Sequence, residues 1–365
     1  MSTVKKPVNV PASNLLASDL YKQGRKIEIQ EHAEAEITKK GTLRGGSSGC
    51  LTDHGNIYGT CHRLALARYK GFQPEIEEIS YIWFDAGFAN EDAWMRKMEK
   101  AVKEMGPEYV LKAEEECPIV WRVDAEPRTL INSRGEEYTT PPYVEVTGRP
   151  DLMIFKKLER AAFEFKEVVE EPILGLELKV VCAVNSAVNI YCEDKPKISN
   201  LIQAAHYSMA HGCPFNLVYS FRNRSIVPGW ASKFKDKLTV KEKVFPPRMR
   251  KDGTYGKEFV KREYSIEPFT KEFRVGFEDD KVYYLKDNGE RVDTPLTGEG
   301  IRRYYELIVD MEKNKDLHTR IAHTDLEGKL LPYDPCNYCP FKDACDDFEY
   351  DYDAWMDKIE LICEE

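Results

Sequence analysis

The sequence predicts an α/β protein in which helices cover a mixed β-sheet. Apolar residues recur at helical spacing in 58–71, 75–105 and 197–212. Segments rich in β-branched and aromatic residues lie between the second and third of these helices, and one more, 216–221, follows the third. The order helix, strands, helix, strand is typical of a sheet with helices on its faces.

The first two predicted helices are amphipathic. The helix at 58–71 ends at Gly71, a residue that commonly terminates helices. The helix at 75–105 is expected to break near 85–87 and to resume afterwards. Its resumed part has apolar residues spaced by four, which form one stripe: Trp94, Met98 and Val102.

The predicted strands and the third helix follow. The strand segments are 108–116, 118–123, 143–157 and 173–181. The helix at 197–212 has Ser199 as its expected N-cap and Gly212 as its expected stop.

The C-terminal half is less regular. The sequence predicts a hairpin that turns at 287–289 and a helix that follows at 298–313. We therefore divide the chain into a flexible or accessory segment at 1–45, a single domain at 46–346 with a β-rich insertion at about 225–300, and an acidic tail at 347–365.

Two charged segments have competing interpretations. The basic stretch Lys233–Arg262 is interspersed with acidic residues, so a solvated loop explains it at least as well as a DNA contact does. The acidic tail is better explained as a terminal helix than as a shield for a basic groove. Four of its apolar residues are then expected to contact the body: Phe348, Trp355, Ile359 and Ile362.

Composition limits the class of protein. The hydrophobic fraction of 42% is enough for a substantial core, and no apolar run approaches the roughly 20 residues of a membrane span. The N-terminus has no apolar segment of the secretory type, so we expect a cytoplasmic protein. The net charge of −10 argues against a protein that coats nucleic acid, although an enzyme acting on it remains open.

Carboxylates and a lysine mark two predicted strands. Asp151 opens one strand, and Glu177 and Lys179 lie two apart on the next, so their side chains share a face. Such a triplet also arises by chance on exposed edge strands. Apolar residues flank this one on both sides, which favours a central strand: Leu174, Leu176, Leu178, Val180 and Val181.

These residue types suit phosphodiester hydrolysis. Asp151 and Glu177 offer the hard oxygen ligands that Mg²⁺ or Mn²⁺ prefers. One metal lowers the pKa of a water, and a second steadies the leaving oxygen. Lys179 is expected to position the water or help deprotonate it, and to offset charge on the phosphate.

Two further spacings accompany this group. Gly87 and Glu91 form G-x3-E, so Glu91 is a candidate third carboxylate, or else a first-turn glutamate favoured by the helix dipole. Gln203 and Tyr207 form Q-x3-Y and share one helical face, as ordinary polar residues of an amphipathic helix also would.

The cysteines contain one cluster. Ten cysteines are too sparse for a disulfide scaffold, but C-x2-C-x5-C at Cys336, Cys339 and Cys345 predicts a metal centre. Its fourth ligand must come from elsewhere, and Cys61 is the best candidate, followed by Cys50 and His62. Four thiolates serve zinc or an iron–sulfur cluster equally well.

In this order the residues resemble the RecB-like branch of the PD-(D/E)XK nucleases. They are most similar to its iron–sulfur members, the CRISPR-associated and phage-encoded exonucleases and the AddB nuclease domain. That family runs Cys, G-x3-H or G-x3-E, Asp, E-x-K, Q-x3-Y and C-x2-C-x5-C. The matching residues are Cys61, Gly87, Glu91, Asp151, Glu177, Lys179, Gln203, Tyr207, Cys336, Cys339 and Cys345.

The resemblance implies a restriction-endonuclease-like core with a 4Fe–4S cluster that ties the N-terminal helix to the C-terminal segment. It implies Glu91, Asp151 and Glu177 as ligands of Mg²⁺ or Mn²⁺, and a helix with Gln203 and Tyr207 along the DNA path. Glu91 stands where many members have histidine. The resemblance also favours an exonuclease acting on single- or double-stranded DNA ends, in recombination, repair or phage DNA metabolism.

The sequence also bears on the protein's partners and on alternative functions. The sequence lacks a G-x4-G-K-[ST] phosphate loop, so we expect a stand-alone nuclease or one working with a separate helicase or recombinase. Self-association is left open. The alternatives are a catalytically silent DNA-binding adaptor with a structural metal cluster, and an unrelated zinc protein.

Overall fold

A computed structural model describes most of the chain. The described residues are 43–44, 49–72, 78–113, 116–124, 127, 129–131, 137–139, 142–162, 165–182, 184–222, 225–226, 234–247, 249, 251, 255–266, 270–318, 320–329, 331 and 335–364. All but two residues of the segment 1–45 therefore lie outside them.

Seven α-helices lie within the described residues. They are α1 His62–Tyr69, α2 Glu78–Met105, α3 Val184–Cys192, α4 Ile198–His211, α5 Gly298–Asn314, α6 Lys342–Asp347 and α7 Tyr352–Glu364. Short 3₁₀ helices occur at Lys235–Lys237 and Pro335–Tyr338.

The strands are numbered in chain order. They are β1 Leu43–Arg44, β2 Gly49–Leu51, β3 Ile57–Gly59, β4 Tyr109–Ala113, β5 Ile119–Asp124, β6 Thr129–Ile131, β7 Glu137–Thr139, β8 Tyr143–Gly148, β9 Leu152–Ala162, β10 Phe165–Val181, β11 Phe215–Phe221, β12 Ser225–Ile226, β13 Thr239–Phe245, β14 Phe259–Ser265, β15 Thr270–Glu278, β16 Lys281–Leu285 and β17 Arg291–Thr297.

A seven-stranded mixed sheet forms the centre, with the strand order β17-β16-β15-β11-β10-β9-β4. Strand β10 lies inside it, antiparallel to β9 and parallel to β11. The parallel pair requires a crossover, which α3 and α4 provide. The mixed α/β class and the central position of the E-x-K strand are as predicted.

Each face of this sheet has its own apolar cluster. On one face, the predicted stripe of α2 packs against Leu176 and Leu178 of β10 and Leu152 and Ile154 of β9. On the other face, α4 covers apolar residues of β11, and this cluster continues into α1, α5 and α7. The two faces of β10 are therefore both covered, as in a buried central strand.

The first two helices each differ from prediction in one respect. The first helix begins at His62, because 57–59 pairs with β2 as a strand. The predicted break near 85–87 is wrong, since α2 is continuous through Gly87. One interior glycine costs only about 1 kcal/mol, which the packing of a 28-residue helix outweighs.

The third predicted helix is capped differently at its start and as expected at its end. Lys197, not Ser199, is the N-cap, because its backbone is extended and its amide donates to the Tyr219 hydroxyl at 3.0 Å. Gly212 terminates the helix in the left-handed conformation at φ 66°, which glycine adopts without strain.

The segment 225–300 contributes strands to two different sheets. Strands β15, β16 and β17 extend the central sheet, with β15 pairing antiparallel to β11. Strands β12, β13 and β14 form a separate three-stranded sheet. The predicted turn at 287–289 joins β16 to β17, with Gly289 at φ 81°. An additional turn at 279–280 separates β15 from β16, so the single predicted hairpin is a three-stranded meander.

The C-terminal tail packs on the body as predicted. Trp355 and Ile359 of α7 are fully buried, and Phe348 and Ile362 pack against the same core. No helix among the described residues has the length and apolar character that crossing a membrane requires.

Glu312 of α5 joins this tail to the N-terminal helix. Its carboxylate accepts hydrogen bonds from Lys70 at 3.0 Å, from Lys315 at 3.0 Å and from the Tyr352 hydroxyl. Burial alone would raise the pKa of Glu312, but these donors outweigh burial and lower it to about 2. The ionised form of Glu312 therefore stabilises the fold.

We expect Glu312→Gln to lower the free energy of unfolding at pH 7 by about 2 kcal/mol, because charge-assisted hydrogen bonds are lost. The depressed pKa makes this contribution complete above the ordinary carboxyl value of 4.5. The difference between wild type and variant should therefore shrink as the pH falls from 4.5 towards 2 in urea denaturation. Glu306→Gln, at an exposed position of α5, is the matched control. A difference that stays constant with pH would contradict this account.

Candidate active site and cysteine cluster

Asp151 lies against the central strand. It precedes β9, whose first residue Leu152 pairs with Leu176 of β10, so Asp151 stands beside Glu177 in the register. Its Oδ2 atom accepts a hydrogen bond from the Leu178 amide at 2.5 Å. The antiparallel pairing of β9 and β10 thus brings together the aspartate and the E-x-K triplet.

Glu177 and Lys179 form an ion pair on one face of β10. Glu177 is only 1% exposed, and Lys179 donates to its Oε1 atom. The other oxygen, Oε2, is buried without a hydrogen-bond partner among the described residues. A buried carboxylate oxygen without a donor is costly, which is the condition that a bound cation relieves.

Glu91 of α2 lies within electrostatic range of Glu177 and Lys179. Burial raises the pKa of Glu177, and Asp151 and Glu91 reinforce this rise while Lys179 opposes it. Burial would lower the pKa of Lys179, but the three carboxylates outweigh burial and raise it. Since α2 is unbroken, Glu91 lies in its interior, and attraction to a helix N-terminus does not explain its position.

Gln203 and Tyr207 border the group from α4. The Gln203 amide nitrogen donates to the Tyr207 hydroxyl at 3.2 Å. Burial, followed by the charge of Glu177, raises the pKa of Tyr207, so the phenol stays neutral. A Cβ atom at Gly148 would stand 2.7 Å from the Tyr207 ring, so the turn that leads to Asp151 has glycine where the ring approaches.

The clustered cysteines of the C-terminal segment lie near Cys61. Cys61 is the N-cap of α1, and its pKa is raised by burial and by the nearby thiols of Cys339 and Cys345, while the amides of Arg63 and Leu64 oppose this. Cys336 in turn is close enough to influence the pKa of Cys339. The four predicted ligands thus occupy one region.

Further donors surround these sulfur atoms. The indole nitrogen of Trp355 donates to Cys345 Sγ at 3.2 Å in the interior. Arg320 lies near Cys336 and Cys345; burial opposes its charge, but its hydrogen bond to Asp346 outweighs burial and raises the pKa of Arg320. Hydrogen-bond donors and cations next to sulfur stabilise thiolates, the form that binds metals.

The two alternative ligands are placed differently. Cys50 lies 3.8 Å from the carbonyl oxygen of Thr297, against α5. His62 is buried beside Cys61 but interacts electrostatically with His318 and His323, and burial lowers its pKa to about 3.

No metal site is closed in this arrangement. Among the described residues, no three Asp, Glu, His or Cys side chains are gathered as a bound metal requires. The ion pair with Lys179 occupies one oxygen of Glu177, and Asp151 turns an oxygen to the Leu178 amide. Within each of the two sets of predicted ligands, the carboxylates and the cysteines, the side chains lie in one region but do not converge on a common point.

Several residues at the two sites were not predicted from the sequence. They are Gly148, the backbone amide of Leu178, Trp355 as a sulfur donor and Arg320. The G-R-P-D turn did contain Gly148, but its role depends on a tyrosine about sixty residues later. Comparisons with protein-family models, with curated proteins and with solved structures found no match to this chain.

We expect Glu177→Gln to change the free energy of unfolding in EDTA by less than about 1 kcal/mol, because burial raises the pKa of Glu177 and so favours the neutral form that the amide imitates. Chemical denaturation measures this, and Mg²⁺ or Mn²⁺ should raise the Tm of the wild type more than that of the variant. Glu99→Gln, on the exposed side of α2, is the control. A much less stable Glu177→Gln variant would show that the carboxylate is structural.

Proposed function

We propose that this chain is a metal-dependent DNA nuclease of the PD-(D/E)XK type. The observation that carries the proposal is the placement of Asp151, Glu177 and Lys179 together at the central strand, with Glu91 within electrostatic range and with one buried Glu177 oxygen that has no donor among the described residues. The sequence pattern predicts all four of these residues, although they come from separate parts of the chain. An E-x-K triplet that arose by chance would not be expected to lie near both of the predicted acidic residues, Glu91 and Asp151.

The strand arrangement supports the same proposal. The resemblance implies a mixed central sheet flanked by helices, and the sheet of this chain is mixed and covered on both faces. Its aspartate and its E-x-K triplet lie on neighbouring antiparallel strands. The helix with Gln203 and Tyr207 connects the E-x-K strand to its parallel neighbour, next to the carboxylates.

The donor set fits a divalent cation. Among the described residues the group joins three carboxylates, of Glu91, Asp151 and Glu177, to one ammonium, of Lys179. Carboxylate oxygens are the ligands that Mg²⁺ and Mn²⁺ prefer. A cation held there supplies Lewis-acid activation of water and neutralises charge on a phosphate.

The protein's own groups then have separate tasks. The pKa of Lys179 is raised, so the side chain is an ammonium that can hold a water by hydrogen bond and offset negative charge on the attacked phosphate. Gln203 presents an amide, and Tyr207 a neutral phenol, beside the carboxylates. Both can donate hydrogen bonds to a phosphodiester backbone without reading its sequence.

The cysteines support a second cofactor. Cys61, Cys336, Cys339 and Cys345 are near one another, and the Trp355 indole and the α1 amides offer donors to sulfur. A 4Fe–4S cluster held there supplies a covalent link between α1 and the C-terminal segment. Exonuclease action on DNA ends, with a separate helicase or recombinase, completes the proposal on the strength of the resemblance.

We expect Lys179→Ala to slow Mn²⁺-dependent degradation of DNA by about 10²–10⁴-fold, because a positioned charge and proton-transfer group is lost. DNA affinity in EDTA should change little, whereas the Tm should fall because buried Glu177 loses its ion-pair partner, so the rates are compared well below the Tm of the variant. Degradation of end-labelled DNA on a denaturing gel measures the rate. Lys281→Ala, an exposed lysine of β16, is the matched control.

Two outcomes would overturn this assignment. An unchanged rate in Lys179→Ala would show that the E-x-K triplet is not catalytic. A wild-type protein that binds DNA but leaves it intact with either cation would favour the adaptor.

We expect anaerobically purified protein to be brown, with a broad absorption band at about 400 nm and about four irons per chain. Cys61→Ser and Cys345→Ser should each abolish or strongly reduce this band, because each removes a ligand. Cys182→Ser, a half-buried cysteine outside the cluster, should keep it. A colourless protein with one zinc would replace the iron–sulfur cluster by a structural zinc site and leave the nuclease proposal standing.

A further inference from the structure

Strands β13 and β14 form an antiparallel ribbon whose two faces are both accessible. Most side chains of β13 and the first half of β14 are exposed. Within the described residues, the third strand of this sheet, β12, pairs only with Tyr264 and Ser265 at the base of the ribbon. The outer part is therefore a two-stranded projection, which is marginal in water unless a partner covers it.

The base of the ribbon lies towards the proposed catalytic group. Lys179 of β10 is level with Tyr219 of β11, two residues before that strand ends at Phe221. β12 begins four residues after Phe221 and leads into the ribbon sheet. At the same end of β11, the Arg222 side chain donates to the Ala86 carbonyl of α2, the helix that contains Glu91.

One face of the ribbon combines lysines with phenylalanines. The register places Lys241 opposite Glu263, Lys243 opposite Lys261 and Phe245 opposite Phe259. Residues opposite one another in an antiparallel pair point to the same side, so these six form one face. We call it the lysine–phenylalanine face.

The charge of this face is unbalanced. Lys243 and Lys261 are directly opposite, an arrangement of like charges that destabilises a strand pair. Glu263 accepts from both, at 3.3 Å and 3.1 Å, and one carboxylate cannot neutralise two ammonium groups. The sequence 239–265 contains eight Lys and Arg against four Asp and Glu, in a chain whose net charge is −10.

The aromatic pair lies at the outer end of the same face. The rings of Phe245 and Phe259 are 6.2 Å apart and inclined by 38°. Phe259 is 62% exposed, although burying an aromatic ring is strongly favourable. Exposed aromatic rings beside cations are the features with which proteins hold unpaired bases and the phosphates between them.

The opposite face has a different character. It presents Val240, Val244 and Val260, with Tyr264 near the base. Its two charged residues, Glu242 and Arg262, form an ion pair in which the opposite charges neutralise each other. Only the lysine–phenylalanine face therefore complements a polyanion.

We propose that the lysine–phenylalanine face binds single-stranded DNA and leads it to the carboxylate group. Cleavage of the bound strand rests on the proposed nuclease function, whereas the binding of single-stranded DNA does not. Single strands are favoured over duplexes because bases in a duplex are already stacked on one another. Phenylalanine offers no hydrogen bond to a base edge, so the contact is independent of sequence.

The test is binding of a fluorescein-labelled oligothymidylate to the full-length protein in EDTA, followed by anisotropy. Phe245→Ala/Phe259→Ala should weaken binding by about tenfold or more, because base stacking is lost. Lys243→Ala/Lys261→Ala should reduce the slope of log Kd against log salt by about 1.4, since two phosphate contacts disappear. Affinity for a blunt duplex should change much less with the phenylalanine variant.

The matched control is on the other face of the same ribbon. Val244→Thr/Val260→Thr changes two exposed residues and keeps the strand propensity, so it should bind as the wild type does. Equal weakening by the control and the phenylalanine variant would overturn the assignment of the face. Circular dichroism and Tm identify any variant that misfolds, in which case Phe245→Leu/Phe259→Leu, which keeps the apolar bulk without the rings, replaces it.

The outcomes separate this inference from the nuclease proposal. If the wild type degrades DNA and the phenylalanine variant keeps the wild-type affinity, the inference alone is overturned. If the phenylalanine variant loses affinity and the wild type never cleaves DNA, the inference is supported and the nuclease proposal is refuted. If the phenylalanine variant differs from the wild type in oligomeric state by light scattering and keeps its DNA affinity, the face binds a second copy of the chain. That result would overturn the assignment of the face to single-stranded DNA.

Discussion

The buried carboxyl group of Glu177 is the constraint on which the central architecture depends. A carboxyl group that is 1% exposed must be stabilised, and Lys179 on the same strand reaches only one of its oxygens. Burial raises the pKa of Glu177, and the pairing of β9 with β10 and the continuity of α2 add Asp151 and Glu91, which raise it further. Apolar packing on both faces of β10 holds these acidic groups in place. Such an arrangement is expected where selection favours function over stability.

A second constraint joins the two ends of the domain. Arg63 of α1 is 1% exposed and donates to the carbonyl oxygens of Leu317, His318 and Glu349. Glu312 ties the end of α1 to α7 through its own hydrogen bonds. Cys336, Cys339 and Cys345 lie in sequence between His318 and Glu349, two carbonyl partners of Arg63, and Cys61 immediately precedes α1. The proposed cluster would therefore supplement a contact that side chains already make.

The sequence predicts the local parts of this structure better than the long-range ones. The E-x-K strand and the stripe of α2 follow from periodicity, because burial on one face imposes a repeat on neighbouring residues. The pairing of β15 with β11 leaves no such local signal. The sequence therefore predicts one insertion at 225–300, although part of this segment extends the central sheet. Likewise, the fit of the Tyr207 ring against Gly148 depends on two residues far apart in sequence. The candidate site was foreseen only where spacing along one element, or a familiar order of motifs, identified it.

The contacts of Arg63 also bear on how the chain is made. Its guanidinium reaches Glu349, 286 residues further along the chain. During synthesis α1 therefore leaves the ribosome 286 residues before Glu349, one of the carbonyl partners that hold its arginine. The central sheet can form in the interval, but the contacts of Arg63 have to wait until this later segment has emerged. A chain that stopped before residue 349 would lack one of these partners, and its first helix would be more open to cellular proteases.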